Sequence, residues 1–178
     1  YTGSNYYSVY ISNNASFTVE DGNVKGNNSY AIYVSGSSTS ALINGGTVES
    51  KNHAIITRSS GELTVNGGTI KTTGNSKGAI GTDVSKCTIN INGGNIIGVT
   101  YAIYAPSSSS NSNDTKTINI DGGNIYSDLY GVYIADTKTT LNIGKNATEF
   151  STTVPELSGV LYGLYKTNGT VNFYSGRL

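Results

Sequence analysis

Tyrosine is the residue type best placed to do chemistry in this chain, which has 14 tyrosines, three phenylalanines and no tryptophan. Ten of them recur at two positions of a repeated pattern: Tyr10, Tyr33, Tyr104, Tyr133 and Tyr165 at one, and Tyr7, Tyr30, Tyr101, Tyr130 and Tyr162 earlier in each repeat. Stacked phenol rings stabilise neighbouring strands. A solvent-facing row of rings and hydroxyls also offers a large, rigid contact area for sugars or partner surfaces. We predict binding where both sets are intact, at Tyr101, Tyr104, Tyr130, Tyr133 and Tyr165.

Asparagine forms two further series at equivalent positions. The first contains Asn44, Asn66 and Asn92, with Glu20 and Asp121 at the same position in other repeats. We interpret these amides as hydrogen-bonding to one another rather than to a ligand. The second series faces outward and contains Thr64, Asn90, Asn119, Asn142 and Asn172. Polar residues are the default on such a face, yet amides there can bind sugar hydroxyls, and we add Asn119 and Asn142 to the predicted ligand site.

Acidic residues give little support to catalysis. Hydrolysis of a glycosidic bond needs two carboxylates within about 5 to 9.5 Å of each other. The candidates Asp83, Asp114, Asp128 and Asp136 are scattered between repeats; Asp114 and Asp136 could approach each other, but we interpret both as solvated loop acids. No zincin, nucleophile-elbow or phosphate-loop motif is present. We therefore assign no catalytic residue, no metal site and no cofactor, and interpret His53 as a substitute for tyrosine rather than as a base.

The elements that would position these residues follow from a repeated phrase. "LTVNGGTI" at 63–70 returns as "ININGGNI" at 89–96 and "INIDGGNI" at 118–125, and a second phrase, such as "AIYV" at 31–34 and "AIYA" at 102–105, lies between copies. The period is about 22 to 31 residues, and apolar residues alternate two apart within each copy, which predicts stacked coils of short strands. Two aliphatic columns should then face inward: Val19, Ile43, Val65, Ile91, Ile120, Ile143 and Phe173, and Ile32, Ile55, Ile80, Ile103, Val132 and Leu164.

The alternation of the "AIY" and "NGG" phrases resembles the right-handed parallel β-helix repeat of pectate-lyase-like enzymes, phage tailspikes and bacterial surface adhesins. "INGGTI" and "GTVNFYSG" look most like repeat regions of Gram-positive surface proteins. The resemblance implies an all-β, right-handed parallel β-helix (β-solenoid) of about seven coils. We expect one domain over 1–178, excised from a longer extracellular protein of the bacterial cell surface. A lyase of this type would need acids around calcium and an arginine base, but Arg58 and Arg177 lack a nearby carboxylate cluster.

The composition of the chain argues against two classes of partner, nucleic acid and the membrane interior. Lysine plus arginine equals aspartate plus glutamate, 11 of each, so no basic face is expected for nucleic acid. No apolar run of about eighteen residues predicts insertion into a membrane. Cys87 is the single cysteine, and it has no internal disulfide partner.

The segments 105–116 and 148–159 lengthen two bends and are candidates for recognition loops.

The favoured hypothesis is a non-enzymatic adhesin or binding module that recognises a glycan or a host surface protein through its tyrosine-rich face. The alternatives are a polysaccharide lyase or hydrolase and an inert structural stalk. Because apolar repeat positions extend to both ends of the sequence, end-to-end self-association is a further expectation.

Overall fold

The computed structural model describes residues 7–75, 77–83, 85–107, 114–144 and 154–178, and these form twenty short strands in three sheets. Sheet 1 contains β1 (Val9–Ile11), β4 (Ile32–Ser35), β7 (Ile55–Arg58), β10 (Gly78–Thr82), β13 (Tyr101–Ala105), β16 (Tyr130–Ile134) and β19 (Tyr162–Lys166). Sheet 2 contains β2 (Ser16–Val19), β5 (Ser40–Ile43), β8 (Glu62–Val65), β11 (Cys87–Ile91), β14 (Lys116–Ile120), β17 (Thr139–Ile143) and β20 (Thr170–Phe173). Sheet 3 contains β3 (Asn23–Gly26), β6 (Thr47–Ser50), β9 (Thr69–Thr72), β12 (Asn95–Gly98), β15 (Asn124–Ser127) and β18 (Glu156–Gly159).

The chain winds as a parallel β-solenoid. Each strand pairs in parallel with the strands three before and three after it, so the path visits sheets 1, 2 and 3 and then starts the next layer. The all-β parallel solenoid predicted from the repeats is therefore confirmed. The right-handed winding stays a prediction.

The core is built from the predicted aliphatic columns. Val65 lies opposite Ile91, which lies opposite Ile120, and all three side chains are fully buried. Burying each such side chain contributes about 1.5 to 3 kcal/mol, so the like-on-like stacks are the main source of stability. A third column of buried aliphatic residues, including Ile70 and Ile96, lines sheet 3. Phe173 keeps its predicted register but is 49% exposed, because β20 is an edge strand that pairs only with β17.

Glycine in the "NGG" phrase is required at the bend between sheets 2 and 3. Gly68 has φ of +79°, and a Cβ on it would lie 2.7 Å from the carbonyl oxygen of Gly45 in the preceding layer. Both the left-handed backbone and the close approach of two layers therefore exclude a side chain.

Half of each predicted recognition loop, 108–113 in the first and 148–153 in the second, lies outside the described residues. The end of the second segment differs from the prediction. Glu156–Gly159 forms β18 of sheet 3, and Leu157 is 1% exposed, packed in the core against the preceding layer. These four residues continue the solenoid rather than lengthening a bend.

Among the described residues, no helix is long and apolar enough to cross a membrane.

Candidate binding surface

The tyrosines lie on the outer side of sheet 1, in the register predicted from the sequence. Tyr104 of β13 pairs with Tyr133 of β16, which pairs with Tyr165 of β19. Tyr101 and Tyr130 start the same strands and pair in the same way. Parallel pairing in register places equivalent residues of successive repeats next to one another. The sequence repeat alone therefore brings these rings into contact.

Six rings form a continuous array from Tyr101 to Tyr165. Within a layer, the centroids of Tyr101 and Tyr104 are 4.5 Å apart. Between layers, Tyr101 lies 5.4 Å from Tyr130 with an interplanar angle of 18°, and Tyr133 lies 5.4 Å from Tyr165 at 16°. Tyr162 extends the column of Tyr101 and Tyr130: its ring centroid lies 5.9 Å from that of Tyr130, with an interplanar angle of 11°. Stacked neighbours cover one another's ring faces, so the ring edges and hydroxyl groups are the parts left for a ligand.

The hydroxyl groups of these six tyrosines form no hydrogen bond or ion pair with any other described residue. Burial, helped by neighbouring phenols, raises the pKa of Tyr101 and of Tyr104 above the usual value. Both hydroxyls are therefore protonated at neutral pH and can donate as well as accept a hydrogen bond.

The amino-terminal half of the surface carries four more tyrosines: Tyr7, Tyr10, Tyr30 and Tyr33. Here Arg58 donates a hydrogen bond of 2.7 Å to the Tyr33 hydroxyl and forms an ion pair of 2.9 Å with Asp83. Tyr33 is only 8% exposed. One tyrosine hydroxyl of this half is thus already hydrogen-bonded within the protein, which supports placing the predicted site in the Tyr101–Tyr165 half.

His53 joins the two halves, which sequence reasoning did not foresee. Its ring lies 5.9 Å from Tyr30 and 6.1 Å from Tyr104, and it occupies the space that a Cβ on Gly81 would need. Ile56 and Gly81 interrupt the outward tyrosine column, but the histidine fills the gap. The ten tyrosines and His53 together form one surface, called the aromatic strip below. The sequence did contain a signal for this contact: His53 and Gly81 both stand at positions that tyrosine occupies in other repeats, one a ring and the other without a side chain.

The environment of His53 agrees with its interpretation as a tyrosine substitute. The side chain is 3% exposed, and burial lowers its pKa to about 4. The neutral ring donates from Nδ1 to the carbonyl oxygen of Gly78 at 2.8 Å. Its role in the structure is that of a packed ring.

Asn119 and Asn142 lie on sheet 2, on a different face from the tyrosines. Their amides form a ladder in which each Nδ2 donates to the Oδ1 of the previous layer: Asn172 to Asn142, Asn142 to Asn119, and Asn119 to Asn90, all at 2.8 Å. The other series behaves alike, with Asn66 donating to Asn44 at 2.9 Å. The predicted ligand site therefore divides into two surfaces, and on the amide surface the inner amides use half of their hydrogen-bonding capacity on one another.

The prediction that Asp136 is a solvated loop acid is wrong. Its carboxylate is 1% exposed and lies 2.7 Å from the ammonium group of Lys116, which is fully buried. The backbone N–H of Lys138 and the hydroxyl of Thr139 also donate to it, at 3.1 and 3.3 Å. Asp136 is thus buried and engaged by three donors. Over the described part of the chain, no three His, Cys, Asp or Glu side chains are grouped so that they could hold a metal ion.

Comparison of the chain with protein-family models, with curated proteins and with solved structures gives no match.

Proposed function

We propose that this solenoid is a non-enzymatic binding module of a bacterial cell-surface adhesin, and that it recognises an extended glycan through the Tyr101–Tyr165 half of the aromatic strip. The observation that carries the proposal is the array of six stacked tyrosines whose hydroxyls have no partner among the described residues. An extracellular location at the bacterial surface is part of the same proposal and comes from the resemblance of the repeats.

A glycan suits this surface because both partners repeat. The hydroxyls recur with each layer of the solenoid, about every 4.8 Å along the rod. A linear polysaccharide presents hydroxyl groups at a regular interval along its own axis, so several hydrogen bonds can form in parallel. The rings are already held by their neighbours, so little side-chain freedom is lost on binding. A host surface protein is the other partner class that this surface suits.

Phenylalanine substitution tests the proposal, because it removes the hydroxyls and keeps the stack. The variant carries Tyr104→Phe, Tyr133→Phe and Tyr165→Phe. Each of the three lost hydrogen bonds contributes about 0.5 to 1.5 kcal/mol, so affinity should fall roughly 10- to 2,000-fold on a glycan array and in calorimetry with the glycan found there.

The matched control replaces three exposed tyrosines outside the array, Tyr10, Tyr126 and Tyr174, by phenylalanine. We expect this variant to bind as the unmodified chain does. Equal binding by both variants would refute the site. Release of products from a panel of polysaccharides would favour a lyase or hydrolase instead, and binding to neither glycans nor host proteins would favour a stalk.

A further inference from the structure

A recess lies away from the tyrosine array, at the bend between sheets 3 and 1. It has a volume of about 390 Å³. Lys25, Asn27 and Asn28 line it from one layer, Glu49 and Lys51 from the next, and Thr73 from a third. This volume falls within the roughly 300 to 1,000 Å³ of typical small-ligand pockets, and the lining is polar and charged.

The charges around this recess are unbalanced, although the chain as a whole is neutral. Glu49 forms ion pairs with Lys25 at 2.6 Å and with Lys71 at 2.8 Å. Hydrogen bonds from these two lysines lower the pKa of Glu49 to about 2, so one carboxylate faces two ammonium groups at neutral pH. Lys51 is exposed at the edge and forms no ion pair with a described residue. Three lysines and one glutamate leave a net local charge of +2.

The remaining lining groups suit a sugar. The side-chain amides of Asn27 and Asn28 each have donors and an acceptor, and the Thr73 hydroxyl can do both. None of these three side chains forms a hydrogen bond with another described residue. Amides and hydroxyls beside an uncompensated ammonium group are the complement of a ring that carries several hydroxyls and one negative charge.

We propose that this recess binds a negatively charged sugar residue, with the ammonium groups of Lys51 and Lys25 holding its carboxylate or sulfate and Asn27, Asn28 and Thr73 bonding its hydroxyls. The site is separate from the Tyr101–Tyr165 array and does not depend on the function proposed for it.

Nuclear magnetic resonance titration tests this site with three probes: glucuronate, glucose 6-sulfate and neutral glucose. We expect the anionic probes to shift the backbone amide signals of Asn27, Asn28 and Lys51, with at least tenfold tighter binding than glucose. Binding of one anion only would identify whether carboxylate or sulfate is recognised. Lys51→Ala should weaken binding at least tenfold, and Lys86→Ala, at an exposed lysine on another bend, should leave it unchanged.

Three results would overturn the proposal: no shifts with either anion, equal affinity for glucose, or undiminished binding by Lys51→Ala. Circular dichroism of both lysine variants excludes unfolding as a cause. The phenylalanine triple variant of the tyrosine array should bind the probes normally, so failure at one site is distinguishable from failure at the other.

Discussion

The buried pair of Lys116 and Asp136 offers the sharpest test of how the layers are held together. The Lys116 side chain is 0% exposed, and its ammonium group has two acceptors among the described residues: the Asp136 carboxylate at 2.7 Å and the carbonyl oxygen of Pro106 at 3.5 Å. The substitution Asp136→Asn keeps the size of the acceptor side chain and removes its charge. It leaves a positive charge in the core without its counter-charge.

The expected loss of stability is large for the replacement of one carboxylate oxygen by an amide nitrogen. Breaking a buried ion pair by removing one partner costs about 3 to 5 kcal/mol, because the remaining charge stays desolvated. In a chain of this length, 1 kcal/mol corresponds to roughly 2 to 4 °C in the midpoint of thermal unfolding. Asp136→Asn should therefore lower the midpoint by about 6 to 20 °C. Adding Lys116→Met should recover most of the loss, since no charge then remains buried.

Urea unfolding followed by circular dichroism measures these differences. The partly exposed pair of Lys71 and Glu49 supplies the control, and Lys71→Met should cost about 1 kcal/mol or less. A cost below about 1 kcal/mol for Asp136→Asn would refute the reasoning, since it would mean that water reaches the Lys116 ammonium group. A double variant as unstable as the single one would show that the loss comes from packing and not from charge.

Two further predictions concern the strip and the bends. Burial lowers the pKa of His53 from 6.5 to about 4, so between these values the unfolded chain binds a proton that the folded chain does not. Stability should fall by roughly 3 kcal/mol as the pH drops through this window, at about 1.4 kcal/mol per pKa unit, and His53→Phe should remove that part of the pH dependence of urea unfolding. Gly22→Ala should lower stability by about 1 to 2 kcal/mol, because Gly22 has a positive φ. A Cβ added at Gly22 would meet no other atom, so no clash adds to this cost. Gly68→Ala should cost more because it also meets the preceding layer, and equal costs in urea unfolding would contradict the proposed clash.

The architecture and the columns could be predicted because a solenoid converts spacing along the chain into contact in space. Ile91 and Ile120 are 29 positions apart, yet the shared "INIxGGNI" phrase sets their pairing, and the structure confirms it. The same logic predicted Tyr104 opposite Tyr133. Period-2 alternation with aliphatic inward positions leaves one register that buries them all.

The features that could not be predicted are those that break the repeat. Lys116 lies in register with Cys87 and Thr139, and nothing in the sequence shows that its charge is met by an aspartate from a later bend. Burial of a lysine contradicts the usual preference of charged residues for solvent. His53 fills the space over Gly81 across layers, a contact between two unlike positions. The phrases also separate inward from outward positions but do not show how the sheets are oriented to one another, which is why the sequence alone assigns Asn119 and the tyrosines to one site although they lie on different sheets.

The asparagine ladder of sheet 2 and the tyrosine array of sheet 1 differ in the hydrogen-bonding groups that they leave for a partner. This difference decides which surface is the better candidate site. Asn119 and Asn142 each donate one N–H to the layer before and accept one hydrogen bond at the amide oxygen from the layer after, so stacking uses half of the hydrogen-bonding capacity of each amide. Tyrosine stacks through its ring faces, which carry no hydrogen-bonding group, so stacking consumes none of the hydroxyl capacity. Repetition therefore stabilises both surfaces, but of the two only the Tyr101–Tyr165 array keeps its full hydrogen-bonding capacity. A ligand that bound the amide ladder as tightly as the tyrosine array would contradict this account.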